Sequence, residues 1–285
     1  MSAEASSIAA TAANARRDEL ARQWSVTIEE VRETATSSIA FGMRRGERVV
    51  LKCVGVACDE WDSGEVLAAY GGGCFARVLE HVPGAVLLER LEPGGALSRL
   101  VHEGRDDEAT DIIASIAAQD PPHAPPAVTP RADRWIASFE RYETSDDQQI
   151  DRPLVAAGRR RYEELCRTQT THRLVHGDLQ HENVLSSARG WVAIDPKGVL
   201  AERAFEAGAF LRNPNGILEL MRDESIVNRR AERFARALRL DAGRVLEWGF
   251  AQAVLSLIWS REDGYDIRRD DPSLVLARTL FPRFG

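Results

Sequence analysis

Several features that would direct a search for function are missing from this 285-residue sequence. Its four cysteines form no C-x-x-C pair, so the pattern predicts reduced thiols and no disulfide framework. The longest notable uncharged apolar run, residues 248–260, is too short to cross a bilayer and predicts a buried helix. The hydrolase signatures G-x-S-x-G and H-E-x-x-H are also absent.

A large excess of positive charge is missing too. The chain has 37 Lys and Arg against 44 Asp and Glu, a net charge of −7, so nucleic acid is not an expected partner. The N-terminus has no basic start followed by an apolar stretch, and it carries Glu4 and Asp18. We expect a loose tail and not a targeting signal there. The expectation is a cytoplasmic protein with no membrane partner.

The order of apolar patterns predicts an α+β chain. Alternating, β-branched segments predict about five strands before residue 92, interrupted by one helix at 60–70 that Gly71 to Gly73 end. Later segments are mainly helical, with Ile112, Ile113 and Ile116 on one helical face. We therefore expect a small β-rich lobe and a larger helical lobe. The expected boundaries are a tail with a short helix at 1–24, an N-lobe at 25–91 and a C-lobe at 92–285.

Polar side chains are concentrated in VHGDLQHENVLSSARGWVAIDPKG, residues 175–198. Asp178 follows a predicted strand and Gly177, whereas Asn183 precedes a predicted hairpin that ends at Asp195. Because a hairpin folds back, Asp195 can lie close to Asn183. A carboxylate and an amide oxygen are hard ligands that suit Mg²⁺. Asp178 would then be free to accept a proton from a hydroxyl nucleophile.

An Asp, an Asn five residues later and a second Asp after a hairpin are also the parts of a protein-kinase-type phosphotransfer site. HGDLQHENVL with IDPKG resembles the motif pair of the aminoglycoside phosphotransferase family of small-molecule kinases. The subgroup it most resembles is the streptomycin and hydroxyurea phosphotransferases (aminoglycoside 6-phosphotransferases), to which residues 201–214 are also similar. The resemblance covers about residues 30–265 and implies a two-lobed protein-kinase-like fold. Gln180 departs from the subgroup, which commonly has His there.

The resemblance implies an upstream lysine for the nucleotide phosphates. Lys52, in the predicted strand VVLKCVG, occupies that position. Glu65 is expected as its ion-pair partner, with Glu60 as the rival. SSIAFG at 37–42 occupies the place of the phosphate-covering loop, so Ser37 and Ser38 are expected to offer donors to the phosphates.

The segment VLLERLEPGG resembles the hinge that reads the adenine of ATP. The implied contacts are the Glu89 carbonyl and the Leu91 amide. The acceptor is expected on the helical lobe, where acidic residues near an aromatic ring would suit a polycationic sugar. The candidate acceptor-binding residues are Glu206, Trp259, Glu262 and Asp263.

The expected function is ATP- and Mg²⁺-dependent phosphorylation of a small-molecule hydroxyl, with streptomycin or a related aminoglycoside as the favoured acceptor. Asp178 is the expected base, and Asn183 and Asp195 are the expected metal ligands. A metabolic kinase for a sugar or amino alcohol and a non-catalytic nucleotide-binding protein remain as alternatives. The expected partner is a cationic small molecule, and the expected assembly is a monomer or weak dimer.

Zinc is a competing interpretation of the three neighbouring histidines. His172, His176 and His181 are spaced four and five residues apart. Gly177 and the strand-like segment before it oppose a single helix that would bring the three rings together. We expect His176 to brace the catalytic loop through hydrogen bonds instead.

Overall fold

The structure is a computed structural model that describes residues 3–34 and 37–285. The chain divides into two compact units. The sheet unit consists of Met1–Ala96, Asp120–Thr129 and Leu185–Gly198. The helical unit consists of Leu97–Gln119, Pro130–Val184 and Val199–Gly285.

The sheet unit is built on a five-stranded antiparallel sheet of order β1-β2-β3-β5-β4. One helix, α2, lies between β3 and β4 in the chain, so the predicted arrangement of five strands and one helix is confirmed. A second sheet has the order β6-β8-β9. The elements are α1 (Ala3–Gln23), β1 (Thr27–Glu33), β2 (Ser37–Arg44), β3 (Glu47–Val54), α2 (Ser63–Tyr70), β4 (Val78–Val82), β5 (Ala85–Glu89), β6 (Pro93–Ala96), β8 (Val184–Ser187) and β9 (Gly190–Ala193).

The central strand β3 has two faces of different character. Val49, Leu51 and Cys53 are fully buried in a core cluster with residues of α1. Val50 and Lys52 alternate with them and line a cavity on the other face. Because successive side chains of a strand point to opposite faces, this two-residue period positions Lys52 at the cavity.

The N-terminal segment differs from its prediction. A loose tail with a short helix from about residue 15 was expected, but α1 is helical from Ala3 to Gln23. Alanine has the highest helix propensity, and small side chains let the helix approach the sheet closely. A Cβ built on Gly55 would lie 1.8 Å from the carbonyl oxygen of Ala9, and Ala9 and Ala13 are fully buried. Alanine contacts of this kind leave only a weak hydrophobic pattern in the sequence.

The helical unit is built around its central helix α10, which packs against α5, α6, α7, α9 and α11. This unit also has a two-stranded sheet, in which β7 pairs with β10 in antiparallel register. The elements are α3 (Ser98–His102), α4 (Asp106–Ala117), α5 (Ile136–Thr144), α6 (Arg152–Thr168), β7 (Arg173–Val175), β10 (Val199–Ala201), α7 (Ala207–Leu211), α8 (Glu219–Arg222), α9 (Glu224–Leu238), α10 (Ala242–Glu262) and α11 (Pro272–Phe284).

The apolar run predicted as a buried helix forms the middle of α10. Trp248, Phe250 and Leu255 are fully buried there. Gly158 of α6 lies directly against Val254, where an added Cβ would come within 2.7 Å of the valine side chain. The described residues contain no helix that is both long and apolar enough to span a membrane.

Candidate active site

Lys52 lies in the middle of the sheet, paired with Ile39 of β2 on one side and Val86 of β5 on the other. Its side chain is only 8% exposed, and its Nζ lies 2.9 Å from Glu60 Oε2 and 2.9 Å from Asp195 Oδ2. Burial alone lowers the pKa of this amine, but attraction to Asp195 and Glu60 outweighs burial and raises the pKa. Lys52 is therefore held charged between two carboxylates.

The predicted pairing of Lys52 with Glu65 is wrong, and the rival Glu60 takes that place. The reason is the orientation of α2. Gly64 faces the sheet, since a Cβ there would lie 2.7 Å from His81 Cβ. The next residue, Glu65, is turned by about 100° around the helix and is exposed. Glu60 precedes the helix in a turn.

A cavity of about 380 Å³ lies beside Lys52 within the sheet unit. Its walls are mainly apolar, and Lys52 and Asp195 supply charges at its surface. Glu89 and Leu91, the residues predicted to read adenine through their backbone, also line it. The other lining residues are Arg32, Ile39, Phe41, Val50, Ala76, Leu88, Arg90, Glu92, Pro93, Gly94, Leu185 and Ile194.

The Glu89 side chain has a structural role in this wall. Its carboxylate accepts the backbone N–H of Arg77 at 2.7 Å and an Arg189 Nη1 hydrogen bond at 2.8 Å. Burial tends to raise the pKa of this carboxyl, but the hydrogen bonds from Arg189 and Arg77 lower it overall. Glu89 is thereby fixed in its ionised form, with its backbone at the cavity.

Residues 37–42 were predicted to form the phosphate-covering loop, and this assignment is wrong because Ser37–Arg44 is strand β2. Ser37 and Ser38 are 4% and 1% exposed, and neither lines the cavity. The Ser37 hydroxyl lies 2.8 Å from the Thr34 hydroxyl, and the Ser38 hydroxyl accepts from Arg17 Nη1 at 3.0 Å. The connection from β1 to β2 precedes Ser37, and its residues 35–36 lie outside the described part of the chain.

Asp195 follows the β8–β9 hairpin, as the sequence predicted. Its backbone has φ +56°, in the left-handed region that non-glycine residues seldom adopt. Such conformations concentrate at functional sites, where the surrounding structure enforces them. The carboxylate is 26% exposed and pairs with Lys52, so it is both anchored and open to a ligand.

The Asp178 loop comprises residues 176–183 of the helical unit and begins where β7 ends at Val175. His176 is 1% exposed, and its Nδ1 accepts the backbone N–H of Asp178 at 3.2 Å. Asn183 Nδ2 donates to the Asp178 carbonyl at 2.9 Å and to Asp178 Oδ2 at 3.2 Å. The predicted bracing role of His176 is thus confirmed. These hydrogen bonds orient the Asp178 carboxylate, which is 26% exposed.

Glu206 was predicted to bind the acceptor, and its burial contradicts that assignment. The residue is 3% exposed, and its carboxylate accepts the backbone N–H groups of His176 at 2.5 Å and Gly177 at 3.1 Å. Burial, and secondarily the charge of Asp178, raise its pKa to about 7 against the opposing backbone hydrogen bonds. Glu206 therefore fixes the backbone of the Asp178 loop through two hydrogen bonds. The sequence offered no signal for this contact, which joins residues thirty positions apart.

The hydrogen bonds of Asn183 bear on its predicted role as a metal ligand. Because its side-chain NH₂ donates to Asp178, its amide oxygen is directed elsewhere and stays available as a hard ligand. Asp195 offers a second hard oxygen from a partly exposed carboxylate. The chemistry of both donors fits Mg²⁺.

The neighbouring histidines have separate surroundings. His172 is exposed and lies 2.8 Å from Arg131 Nη2. His181 is fully buried, and burial together with the Arg230 charge lowers its pKa well below the usual value. Across residues 3–34 and 37–285, no group of three or more His, Cys, Asp and Glu is arranged to hold a metal ion.

Gln180 is the residue that departs from the subgroup pattern. Its side-chain oxygen accepts the Glu182 backbone N–H at 2.8 Å, so Gln180 caps the turn His181–Asn183.

The other candidate acceptor residues lie at the end of α10. Glu262 and Asp263 are exposed, and Glu262 pairs with Arg141 at 2.7 Å. Trp259 is partly buried, with its ring edge-on to Trp135 at a centroid distance of 5.7 Å. The exposed carboxylates are accessible to a ligand, so their acceptor role stays a prediction.

The family model described as "Aminoglycoside/hydroxyurea antibiotic resistance kinase" matches residues 23–264. The chain belongs to this family. The resemblance predicted from HGDLQHENVL and IDPKG is confirmed, and the chain is a small-molecule kinase of the phosphotransferase class.

Two curated relatives have names that describe their reactions. The streptomycin 3''-kinase of Klebsiella pneumoniae is 32% identical over 243 residues, which cover 81% of this chain and 87% of that protein. The hydroxyurea phosphotransferase of Kitasatospora aureofaciens is 28% identical over 239 residues, which cover 80% of this chain and 66% of that protein.

Solved structures share the fold at much lower identity. A choline kinase from Streptococcus pneumoniae matches with a TM-score of 0.60 at 15% identity, covering 94% of this chain and 97% of that chain. An aminoglycoside phosphotransferase in a ternary complex with ADP and hygromycin B matches with a TM-score of 0.61 at 17% identity, covering 92% and 96%. The predicted protein-kinase-like fold is therefore confirmed.

Proposed function

We propose that the chain transfers the γ-phosphoryl group of ATP to a hydroxyl of streptomycin or a related aminoglycoside. Family membership supports the reaction class, and the 32% identity to a streptomycin kinase over 81% of the chain supports the acceptor class. The observation that carries the proposal is the Asp178 carboxylate, oriented by Asn183 and His176 yet still partly exposed.

Asp178 is the base in this proposal. It accepts the proton of the acceptor hydroxyl as the oxygen attacks the phosphorus of the γ-phosphoryl group. Because Asn183 and the loop backbone fix the carboxylate, little reorganisation is needed when the acceptor binds. Glu206 helps to fix the position of Asp178, because its carboxylate accepts the backbone N–H groups of His176 and Gly177, the two residues before Asp178.

Lys52 contacts the α- and β-phosphates, and the cavity beside it receives the nucleotide. Its apolar walls suit an adenine ring, and the Glu89 carbonyl and the Leu91 amide read the edge of that ring. Glu60 and Asp195 hold the Lys52 ammonium in place before the nucleotide arrives. Nucleotides in the solved complexes of fold relatives are consistent with this use of the cavity.

In this proposal, Asn183 and Asp195 are the residues that would hold Mg²⁺. When bound, the ion would offset the charge of the β- and γ-phosphates. The chain's own part is to present one amide oxygen and one carboxylate oxygen, each oriented by a neighbour: Asp178 for Asn183, and Lys52 for Asp195.

The acceptor lies against the end of α10 in this proposal. Glu262 and Asp263 attract a cationic aminoglycoside, and the Trp259 ring offers a flat apolar surface for a sugar. The net charge of −7 favours encounter with such a substrate. Hydroxyurea is a second acceptor to be tested because one relative is named for it.

The test measures ADP release with Mg-ATP against a panel of streptomycin, other aminoglycosides, hydroxyurea, choline and simple sugars. Asp178→Ala serves as the control for background hydrolysis. We expect turnover on streptomycin that the substitution abolishes.

Turnover confined to choline or a sugar would retain the kinase and overturn the antibiotic assignment. Binding of Mg-ATP with no turnover on any acceptor, in wild type and variant alike, would favour a nucleotide-binding protein. Activity that a chelator abolishes but that needs no nucleotide would point to a metal-dependent hydrolase instead.

A further inference from the structure

Arg212 is a mostly buried arginine beside the proposed base. It directly follows α7, its side chain is 12% exposed, and its Nη2 lies 3.9 Å from Asp178 Oδ1, beyond hydrogen-bonding distance. Within residues 3–34 and 37–285, its buried Nη1 has no hydrogen-bond partner. Buried donors are nearly always satisfied, so a guanidinium left open next to a catalytic carboxylate needs an explanation.

A second buried arginine in the same unit shows what a structural role looks like. Arg230 is fully buried and donates to three backbone carbonyls, and its Nε, which has no hydrogen-bond partner among the described residues, lies 3.3 Å from Asp106 Oδ1. The three carbonyls are those of Phe210 at 3.2 Å, Leu211 at 3.2 Å and Asn213 at 2.7 Å. They flank residue 212 on both sides, so Arg230 fixes the backbone from which Arg212 projects. Arg212 is thus a positioned side chain with an unused donor.

The charges around Arg212 leave it available for an anion. Burial lowers its pKa, while Asp178 and Asp271 act in the opposite direction, and arginine keeps its charge in proteins. The Asp271 carboxylate already accepts two backbone N–H groups, from Ser273 and Leu274, as the N-cap of α11. The loop from Asp178 to Asn183 reads DLQHEN and contains no Lys or Arg. The loop therefore does not itself provide the positive charge beside the base.

We propose that Arg212 is a catalytic residue that donates an N–H to a non-bridging oxygen of the phosphoryl group during its transfer. This inference rests on the proposed function. As the bond from phosphorus to the ADP oxygen breaks, its electron pair leaves with ADP. The acceptor oxygen forms the new bond to phosphorus, and its proton passes to Asp178. Arg212 stays protonated throughout and stabilises the negative charge on the transferring group.

Steady-state kinetics provide the first test. Arg212→Ala should lower kcat by about 10²- to 10³-fold, with a small change in KM, because the contact forms mainly in the transition state. Arg212→Lys should retain part of kcat, and added guanidinium ion should restore part of the activity of Arg212→Ala. Arg222→Ala, at an exposed arginine of the same unit, is the matched control and should behave as wild type. Melting temperatures establish that each variant is folded.

A second test needs no acceptor. The affinity for Mg-ADP is measured by calorimetry with and without aluminium fluoride, which mimics the phosphoryl group in transfer. We expect aluminium fluoride to tighten the binding of Mg-ADP to wild type. In Arg212→Ala this tightening should be about 10²-fold smaller, and in Arg212→Lys it should be partly retained. Both variants should bind Mg-ADP alone with the wild-type affinity.

The outcomes separate the two proposals. Equal tightening in wild type and variants, or none in wild type, overturns the role of Arg212 while nucleotide binding stands. Failure of wild type to bind Mg-ADP overturns the proposed function, and the role of Arg212 falls with it. Full activity in Arg212→Ala would likewise refute the inference.

Discussion

Lys52 of the sheet unit and Asp178 of the helical unit are held by different kinds of interaction. Lys52 is fixed by two carboxylates at 2.9 Å, so its position depends on charge. Asp178 is fixed mainly by hydrogen bonds with the Asn183 amide and the His176 ring. A charge network tolerates small movements of a long side chain, whereas hydrogen bonds demand defined directions. The difference matches their proposed tasks, since Lys52 attracts phosphates and Asp178 must receive one particular proton.

Among the residues that hold Lys52 and Asp178 in place, the largest expected effect is at Glu206, which supports the loop that carries Asp178. Glu206→Ala should lower kcat by about 10²-fold, because the N–H groups of His176 and Gly177 lose their acceptor and the loop shifts. The glutamine of Glu206→Gln keeps one acceptor oxygen, so kcat should fall less in this variant than in Glu206→Ala. Rates with streptomycin at saturating Mg-ATP provide the measurement. Equal rates for wild type and Glu206→Ala would contradict the supporting role.

The same residue predicts a pH dependence of stability. The folded-state pKa of Glu206 is raised to about 7 from 4.5, so the folded protein binds a proton more tightly than the unfolded chain does. Its stabilising contribution is present at low pH and is lost as the pH rises towards and through 7. Between pH 5 and pH 8, the free energy of unfolding of wild type should fall by about 2 kcal/mol relative to that of Glu206→Gln.

Urea denaturation of both proteins at several pH values measures this difference. Glu219→Gln, at an exposed carboxylate of the same unit, is the control and should follow the wild-type pH profile. A parallel profile for wild type and Glu206→Gln would show that Glu206 is ionised throughout.

An intermediate effect is expected in the charge network around Lys52. Glu60→Gln should lower kcat/KM for ATP by about tenfold, because Lys52 loses one of its two orienting carboxylates. Glu65→Gln should leave it unchanged, since that side chain is exposed on the outer face of α2. The two variants remove the same charge from nearby positions and differ only in contact with Lys52. A larger loss of kcat/KM for ATP in Glu65→Gln than in Glu60→Gln would support the ion pair between Lys52 and Glu65 that was predicted from the sequence.

The smallest effect is expected at the proposed acceptor surface. Glu262→Gln should raise KM for streptomycin by about two- to fivefold, because exposed ion pairs contribute only ~0.2–1 kcal/mol. The increase should shrink at high salt, where charge attraction is screened. KM measured at low and high ionic strength tests this. An unchanged KM at low salt would remove Glu262 from the acceptor site.

The sequence predicted those parts of the site that local patterns define. Asp178, Asn183 and Asp195 lie within one strand–loop–hairpin stretch, and Lys52 lies in a short run of β-branched and apolar residues, VVLKCV. Contacts between distant segments were beyond such patterns. The pairing of Lys52 with Glu60 depends on how α2 is rotated by the packing of Gly64.

Two further residues show the same limit. Glu206 contacts a loop thirty residues earlier in the chain, and its acidic side chain resembles any surface carboxylate in the sequence. Ser37 was assigned to the phosphate-covering loop from the family resemblance, but it begins strand β2. The surroundings of both residues depend on tertiary packing, which the periodic patterns of the sequence do not reveal.

The most direct test of the account follows the γ-phosphoryl group itself. Wild type and Asp178→Asn are incubated with streptomycin and γ-labelled Mg-ATP, and label on the antibiotic is measured over time. Asparagine keeps an oxygen that can accept the Asn183 hydrogen bond but cannot take the proton. The account predicts labelled streptomycin from wild type and a rate about 10²- to 10⁴-fold lower from Asp178→Asn. Equal transfer by both proteins would contradict Asp178 as the base.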